Sequence, residues 1–323
     1  MTTSVVITRD AGRGLTYAVL GWAVAYGGVR LLWTVGEAPD FGPFGSDLLG
    51  FTGWWSVALC VAAGAIAVVL DRAVTWRPVL AGAAWTVAGA LVASAAILLP
   101  ELVGFLLLHV GPNFDPLPFA SRIGCVSGAV LLGLAVARYQ RRTRGDCPSC
   151  CRTGEPKHRP EAPARRQEAS ARRTPARWAV YAAYAAVTGL VARFAAQTMV
   201  GFDDLHQEPS LIGLEIGLLL AGILLPLALV HGWGRIWPRW VPLLAGRTIP
   251  RLLLLIPGLG LGVGIVAYFG MGMVQLASGS VSQFSDTFLL VAMSAYCVLG
   301  LGLIVASSDY HLATRRPCEN CGR

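Results

Sequence analysis

The sequence predicts an all-α membrane protein: eight transmembrane helices in two parallel four-helix repeats, joined by a disordered basic cytoplasmic linker. Three observations predict it. Of the 323 residues, 55% are hydrophobic and only 14% charged, with a mean hydropathy of +0.59, whereas soluble domains carry roughly 25% charged residues. The apolar residues fall in long runs of the length, about 20 residues, that a helix needs to cross a bilayer. The basic residues segregate to one side of those runs. Such a composition excludes a soluble globular domain. It equally excludes a disordered chain, which needs few apolar residues and many charges.

Taken in order, the apolar runs fall near 15–35, 49–70, 79–110, 119–137, 178–199, 211–231, 250–276 and 287–307. The first follows a basic start but is longer than the roughly 7–15 apolar residues of a cleaved signal, so it is expected to be a retained span. The third is long and carries Pro100 and Glu101 near its end. It is expected to be one span, tilted or kinked at Pro100. The seventh contains Pro257 and the run Gly258-Leu-Gly-Leu-Gly262. Inside a membrane span, such glycines predict close helix packing.

Of the 26 Lys and Arg residues, all but Arg30, Arg122 and Arg193 fall in the termini and in alternate loops. Eight spans place these on one side, so both termini are expected to be cytoplasmic and the protein to reside in the plasma membrane. Most carboxylates outside the linker fall toward the outer side, an ordinary distribution because the rule leaves acids unconstrained. Trp54, Trp55, Trp76, Trp237 and Trp240 mark span ends, as an interfacial aromatic belt does. The stretch from Trp233 to Gly246 is expected to run along the inner surface.

The linker, 138–177, holds twelve basic and four acidic residues without apolar periodicity. Its expected state is a solvated connector, and its expected partner beyond the bilayer is anionic lipid. No aromatic residue interleaves between Tyr139 and Trp178, so nucleic acid is not expected to bind. The linker divides the chain into a first repeat (1–137) and a second (178–311), followed by a cysteine-bearing tail (312–323). Arg30 and Arg193 occupy matching places, and the same offset pairs Asp40 with Asp203 and Arg72 with Arg235. One residue later in register, Trp76-Arg-Pro-Val-Leu-Ala-Gly82 matches Trp240-Val-Pro-Leu-Leu-Ala-Gly246. Four spans per unit preserve orientation, which makes the repeat parallel, an arrangement that occurs in transporters.

Three patterns could carry chemistry. Cys147-Pro-Ser-Cys150 and Cys318-Glu-Asn-Cys321 each trail the last span of a repeat. Paired Cys-x-x-Cys motifs suit a tetrahedral structural zinc, and the reducing cytoplasm disfavours disulfides. Cys60, Cys125 and Cys297 lie inside spans and are expected to pack as small apolar residues. Arg30 and Arg193 lie in the outer third of their spans. There an arginine must snorkel, pair with a carboxylate such as Glu37, Glu101 or Glu215, or bind an anionic group in a cavity. With Glu215, just inside the sixth span, they form the candidate substrate-binding set. Asp203-Asp204-Leu-His206-Gln-Glu208 could ligate a divalent cation, although a solvated loop is its ordinary reading.

No P-loop, Gly-x-Ser-x-Gly, His-Glu-x-x-His or dinucleotide fingerprint occurs in the sequence, and no enzymatic activity is expected. The stretches Trp240 to Gly246 and Arg315 to Gly322, with Lys157 as the only lysine, resemble those of uncharacterised multi-pass membrane proteins of actinobacteria. The resemblance implies a multi-pass membrane protein and brings no activity with it. The functional expectation is a small-solute transporter or permease whose substrate is unknown. The alternative is a membrane scaffold or sensor with a cytoplasmic zinc clip.

Overall fold

The computed structural model describes residues 3–36, 53–99, 101–102, 116–143, 175–200, 209–237, 246–277 and 286–314, without the side chains of 3–13, 198–200, 209–218 and 286. The described residues form helices and connecting turns, with no strand beyond one isolated bridge between Ile236 and Thr248. The helices are α1 (Thr3–Val35), α2 (Gly53–Arg72), α3 (Pro78–Ser94), α4 (Pro116–Thr143), α5 (Arg177–Val200), α6 (Pro209–Val230), α7 (Arg251–Ala277) and α8 (Asp286–Ala313). Each of the eight apolar runs therefore contains a helix. Six stretches are long and apolar enough to cross a membrane: Gly14–Val35, Gly53–Arg72, Pro116–Thr143, Arg177–Gln197, Arg251–Ala277 and Thr287–Ala313. That is the pattern of a polytopic membrane protein. The third and sixth runs contribute shorter apolar stretches, Pro78–Ser94 and Leu219–Val230.

In the third run the described break precedes Pro100, and the expected kink at Pro100 lies outside the described residues. Its helix ends at Ser94, followed by a turn at 95–97, and helical geometry resumes at 98–99 and 101–102. The turn is closed by Ala95 N–H to Val92 O (3.0 Å), Ala96 N–H to Ala93 O (3.1 Å) and Leu98 N–H to Ala95 O (2.9 Å). These bonds span three residues, the tighter pattern that commonly finishes a helix. The break lies ahead of Pro100, which offers no N–H to the carbonyl four residues back. The 17 residues of α3 reach about 25 Å, short of a hydrocarbon core of about 30 Å.

The chain forms two compact units, one holding α1–α4 and the other α5–α8. In the first, α1 packs on α2 and α4, α3 packs on α2 and α4, and α2 touches α4. In the second, α5 packs on α6 and α8, α7 packs on α6 and α8, and α6 touches α8. Both cores are rich in alanine and branched aliphatics. The first is built on Val19, Ala63, Ala67, Ala84, Leu132 and Val136, and the second on Ala183, Ala186, Leu190, Leu229, Leu303 and Ala306. Small residues let apolar helices approach closely, which is how helices associate where lipid removes the hydrophobic driving force.

Glycine performs this at specific crossings. A Cβ at Gly124 would come within 2.5 Å of the Tyr26 ring, and one at Gly128 would collide with the Trp22 indole. In the second unit, a Cβ at Gly262 would lie 2.9 Å from the Gly300 carbonyl oxygen, whereas Gly260 has open space. The glycine run therefore packs as expected, through the members that face α8. Pro257 lies within α7, and the helix continues through it to Ala277.

One end of the first unit is fixed by hydrogen bonds to backbone. Tyr139, 2% exposed, donates its hydroxyl to Thr75 O (2.8 Å) and accepts Arg77 N–H (2.7 Å). Its ring stacks on Trp76. Arg142 Nη2 donates to Leu70 O, Asp71 O and Ala73 O at 2.7–3.0 Å. A cation placed there satisfies carbonyls that the end of α2 leaves open and complements its dipole.

Candidate functional site

The opposite end of the first unit contains its buried polar groups. Trp22, Tyr26, Arg30 and Trp33 recur on α1 at helical spacing, which stacks them along one face. Trp22 and Tyr26 stack with their ring centroids 5.5 Å apart. Both lie over α4, where Trp22 Nε1 donates to Gly124 O (2.8 Å). Tyr26 Oη donates to Ser121 O (2.9 Å) and lies 3.0 Å from Ser121 Oγ and 3.2 Å from Cys125 Sγ. The absence of side chains at Gly124 and Gly128 makes room for these rings, so the α1–α4 crossing and the polar cluster have one local cause.

Arg30 lies one turn beyond Tyr26 and is 4% exposed. Its guanidinium carbon sits 5.9 Å from the Tyr26 ring centroid and 5.6 Å from that of Trp33. The Arg30 side chain is enclosed within the first unit. Glu101, one of the carboxylates expected to serve it, pairs instead with Arg122. Arg122 is the third arginine outside the cytoplasmic set, and its side chain is 8% exposed. The ion pair joins the start of α4 to the helical residues after the 95–97 turn. Burying either charge alone would be costly, which explains why the two coincide.

Cys60 and Cys125 are 0% and 1% exposed. Cys60 packs under Gly27, where an added Cβ would come within 3.1 Å of the Cys60 Cβ. This is the expected packing role. Cys125 goes further, because its sulfur meets the Tyr26 hydroxyl. The cluster thus gathers two guanidinium groups, a carboxylate, a phenol, a hydroxyl and a thiol. It can hold a proton or an anionic group by hydrogen bonds. Tyr26, Ser121, Arg122 and Cys125 were not among the sequence candidates. The available signal was the α1 periodicity opposite the Gly124/Gly128 pair.

In the second unit Arg193 is partly buried on α5. Its guanidinium carbon lies 5.2 Å from the Phe194 ring centroid and 5.7 Å from that of Tyr296. Tyr296 is stacked on Phe269 at 4.0 Å and 13°. Among the described residues, Arg193 Nε and Nη1 are buried without a hydrogen-bond partner. Cys297 is partly buried on α8.

Several candidates lie outside the described residues: the zinc candidates Cys147, Cys150, Cys318 and Cys321, the segment from Asp203 to Glu208, and most of the linker. Glu215 lies within α6, but its side chain is outside the described set. No family model, curated protein or solved structure matches the chain.

Proposed function

We propose that the protein is a small-solute transporter or permease of the plasma membrane. In this reading it consists of two parallel four-helix repeats with both termini cytoplasmic, and Arg30 and Arg193 bind an anionic group of the solute. The observation that carries the reading is the burial of Arg30 at 4% exposure. An arginine retained inside a membrane helix unit is costly, and such residues usually mark substrate or ion pathways. Support for paired roles comes from Arg193, which stands at the matching position of α5 and likewise lies against aromatic rings. The repeat is supported by the corresponding helix pairs that touch in the two units. It is further supported by Tyr139 and Tyr310, each 2% exposed and each eight residues before a Cys-x-x-Cys. Glu215 belongs to the proposed substrate set on its place in α6 alone.

The test is counterflow uptake by the full chain in liposomes, with small carboxylates, phosphate and sulfate offered separately. The wild type should accumulate at least one of these above empty vesicles. The Arg30→Gln/Arg193→Gln double variant should lose about tenfold or more of that uptake, the equivalent of one charge-assisted hydrogen bond. Equal uptake by the variant and wild type, or none by either, would overturn the reading and leave the scaffold or sensor alternative.

A further inference from the structure

We infer that Arg193 is an oxyanion-binding point of the second unit, whose ligand is a carboxylate or phosphate oxygen supplied from outside the described chain. The inference rests on Arg193 being a ligand-binding residue, as proposed above, but not on transport.

The argument begins with a charge that cannot be removed. An arginine side chain stays protonated where a lysine or carboxylate would neutralise itself, and it offers five N–H donors in one plane. The described aromatic neighbours present their ring faces to that group. The Phe194 and Tyr296 ring centroids lie 5.2 and 5.7 Å from the guanidinium carbon, and Phe269 stacks on Tyr296 at 4.0 Å. Cation–π attraction acts through the ring faces and supplies no oxygen acceptor. Among the described residues, Nε and Nη1 are buried without a hydrogen-bond partner.

A described carboxylate of the same unit is engaged elsewhere. Asp309 accepts the Ala176 N–H at 3.3 Å, at the far end of α5. Arg193 lies 17 residues farther along, about 25 Å up the helix. Other arginines in this protein show what a guanidinium here takes. Buried Arg122 is met by the Glu101 carboxylate. Exposed Arg142 is met by three backbone carbonyls. Among the described residues Arg193 has the same need and no oxygen to meet it. Arg122, the buried precedent, takes a carboxylate, so an oxyanion is the acceptor that fits Arg193, and charge-assisted N–H···O bonds are the strong ones in such a setting. A soluble carboxylate or phosphate and a lipid phosphate share this chemistry.

The experiment uses the full chain in nanodiscs, with thermal unfolding as the readout. Phosphatidylcholine discs are titrated with inorganic phosphate and with benzoate. A second set contains phosphatidylglycerol and no added probe. The wild-type midpoint should rise by about 2–4 °C at saturation in at least one arm, and Arg193→Gln should abolish the rise. Arg193→Lys keeps the charge without the fork and should need about tenfold more ligand. A rise with the soluble probes assigns the oxyanion to a solute, and a rise only with phosphatidylglycerol assigns it to a lipid headgroup. No rise in any arm, or an undiminished rise in Arg193→Gln, overturns the inference. If that variant does not fold, a wild-type titration curve in Arg193→Lys overturns it. Oxyanion binding through Arg193 in a protein without uptake would overturn transport while leaving this inference intact. Uptake with unaltered binding in Arg193→Gln would do the reverse.

Discussion

At the scale of single residues, a buried tyrosine fixes one end of the last helix in the first unit. Tyr139 donates to Thr75 O and accepts from Arg77 N–H, so it clamps the turn that leads through Trp76 into the first Trp-x-Pro motif. Replacing it with phenylalanine leaves a carbonyl and an amide without their partner, at a cost of about 1–3 kcal/mol. Tyr139→Phe should therefore lower the thermal midpoint in detergent and speed amide exchange at Arg77. Tyr310 is equally buried and stands at the matching distance from the second Cys-x-x-Cys. If the two halves are repeats, Tyr310→Phe should destabilise by a comparable amount. A variant indistinguishable from wild type would remove the tyrosine correspondence from the argument for duplication.

At the scale of helices, the α1–α4 crossing is a fit of two large rings over two absent side chains. Gly128→Ala places a methyl group where the Trp22 indole sits. Overpacking of this kind costs about 1–3 kcal/mol, so the variant should unfold earlier on heating. The Trp22→Leu/Gly128→Ala double variant should recover part of the loss, because the two changes share one contact. Thermal unfolding of all four proteins completes the cycle, and strict additivity would contradict the contact. Much of this level was legible in the sequence. All eight apolar runs contain helices, and the Gly258–Gly262 run predicted close packing that Gly262 achieves against α8. The turn at 95–97 in the third run is not legible in the sequence, because Ala95-Ala96-Ile97 carries no glycine or proline to mark it. Of the site, Arg30 and Arg193 were visible as isolated cations within apolar runs. Pairing of Arg122 with Glu101 was not, because their meeting depends on where the third run turns, a tertiary fact that no local periodicity carries.

At the scale of the whole molecule, the strongest sequence signal is the distribution of charge, and it makes a claim about sides. Basic residues resist translocation, so short loops rich in arginine stay in the cytoplasm. The linker and the C-terminal tail carry most of that charge, and in the proposed eight-span arrangement an even number of crossings between them would keep both on one side. Both also carry the chain's cysteines that lie outside the apolar runs: Cys147, Cys150, Cys151, Cys318 and Cys321. Cys60 and Cys125 are buried in the first unit, which shields them from a bulky reagent. Membrane-impermeant maleimide–polyethylene glycol should therefore shift the mass of the protein in inverted vesicles and leave it unshifted in intact cells. Replacing all five of these cysteines with serine should abolish the shift. Labelling of only the linker or only the tail in inverted vesicles would require an odd number of crossings between them and would refute the eight-span orientation. The same preparation tests the zinc expectation. If Cys147, Cys150, Cys318 and Cys321 hold a metal, a chelator should increase their labelling rate and release zinc. Cys318→Ser should then lower the bound zinc. Fast labelling without a chelator, in protein that carries no zinc, would leave these cysteines as free cytoplasmic thiols.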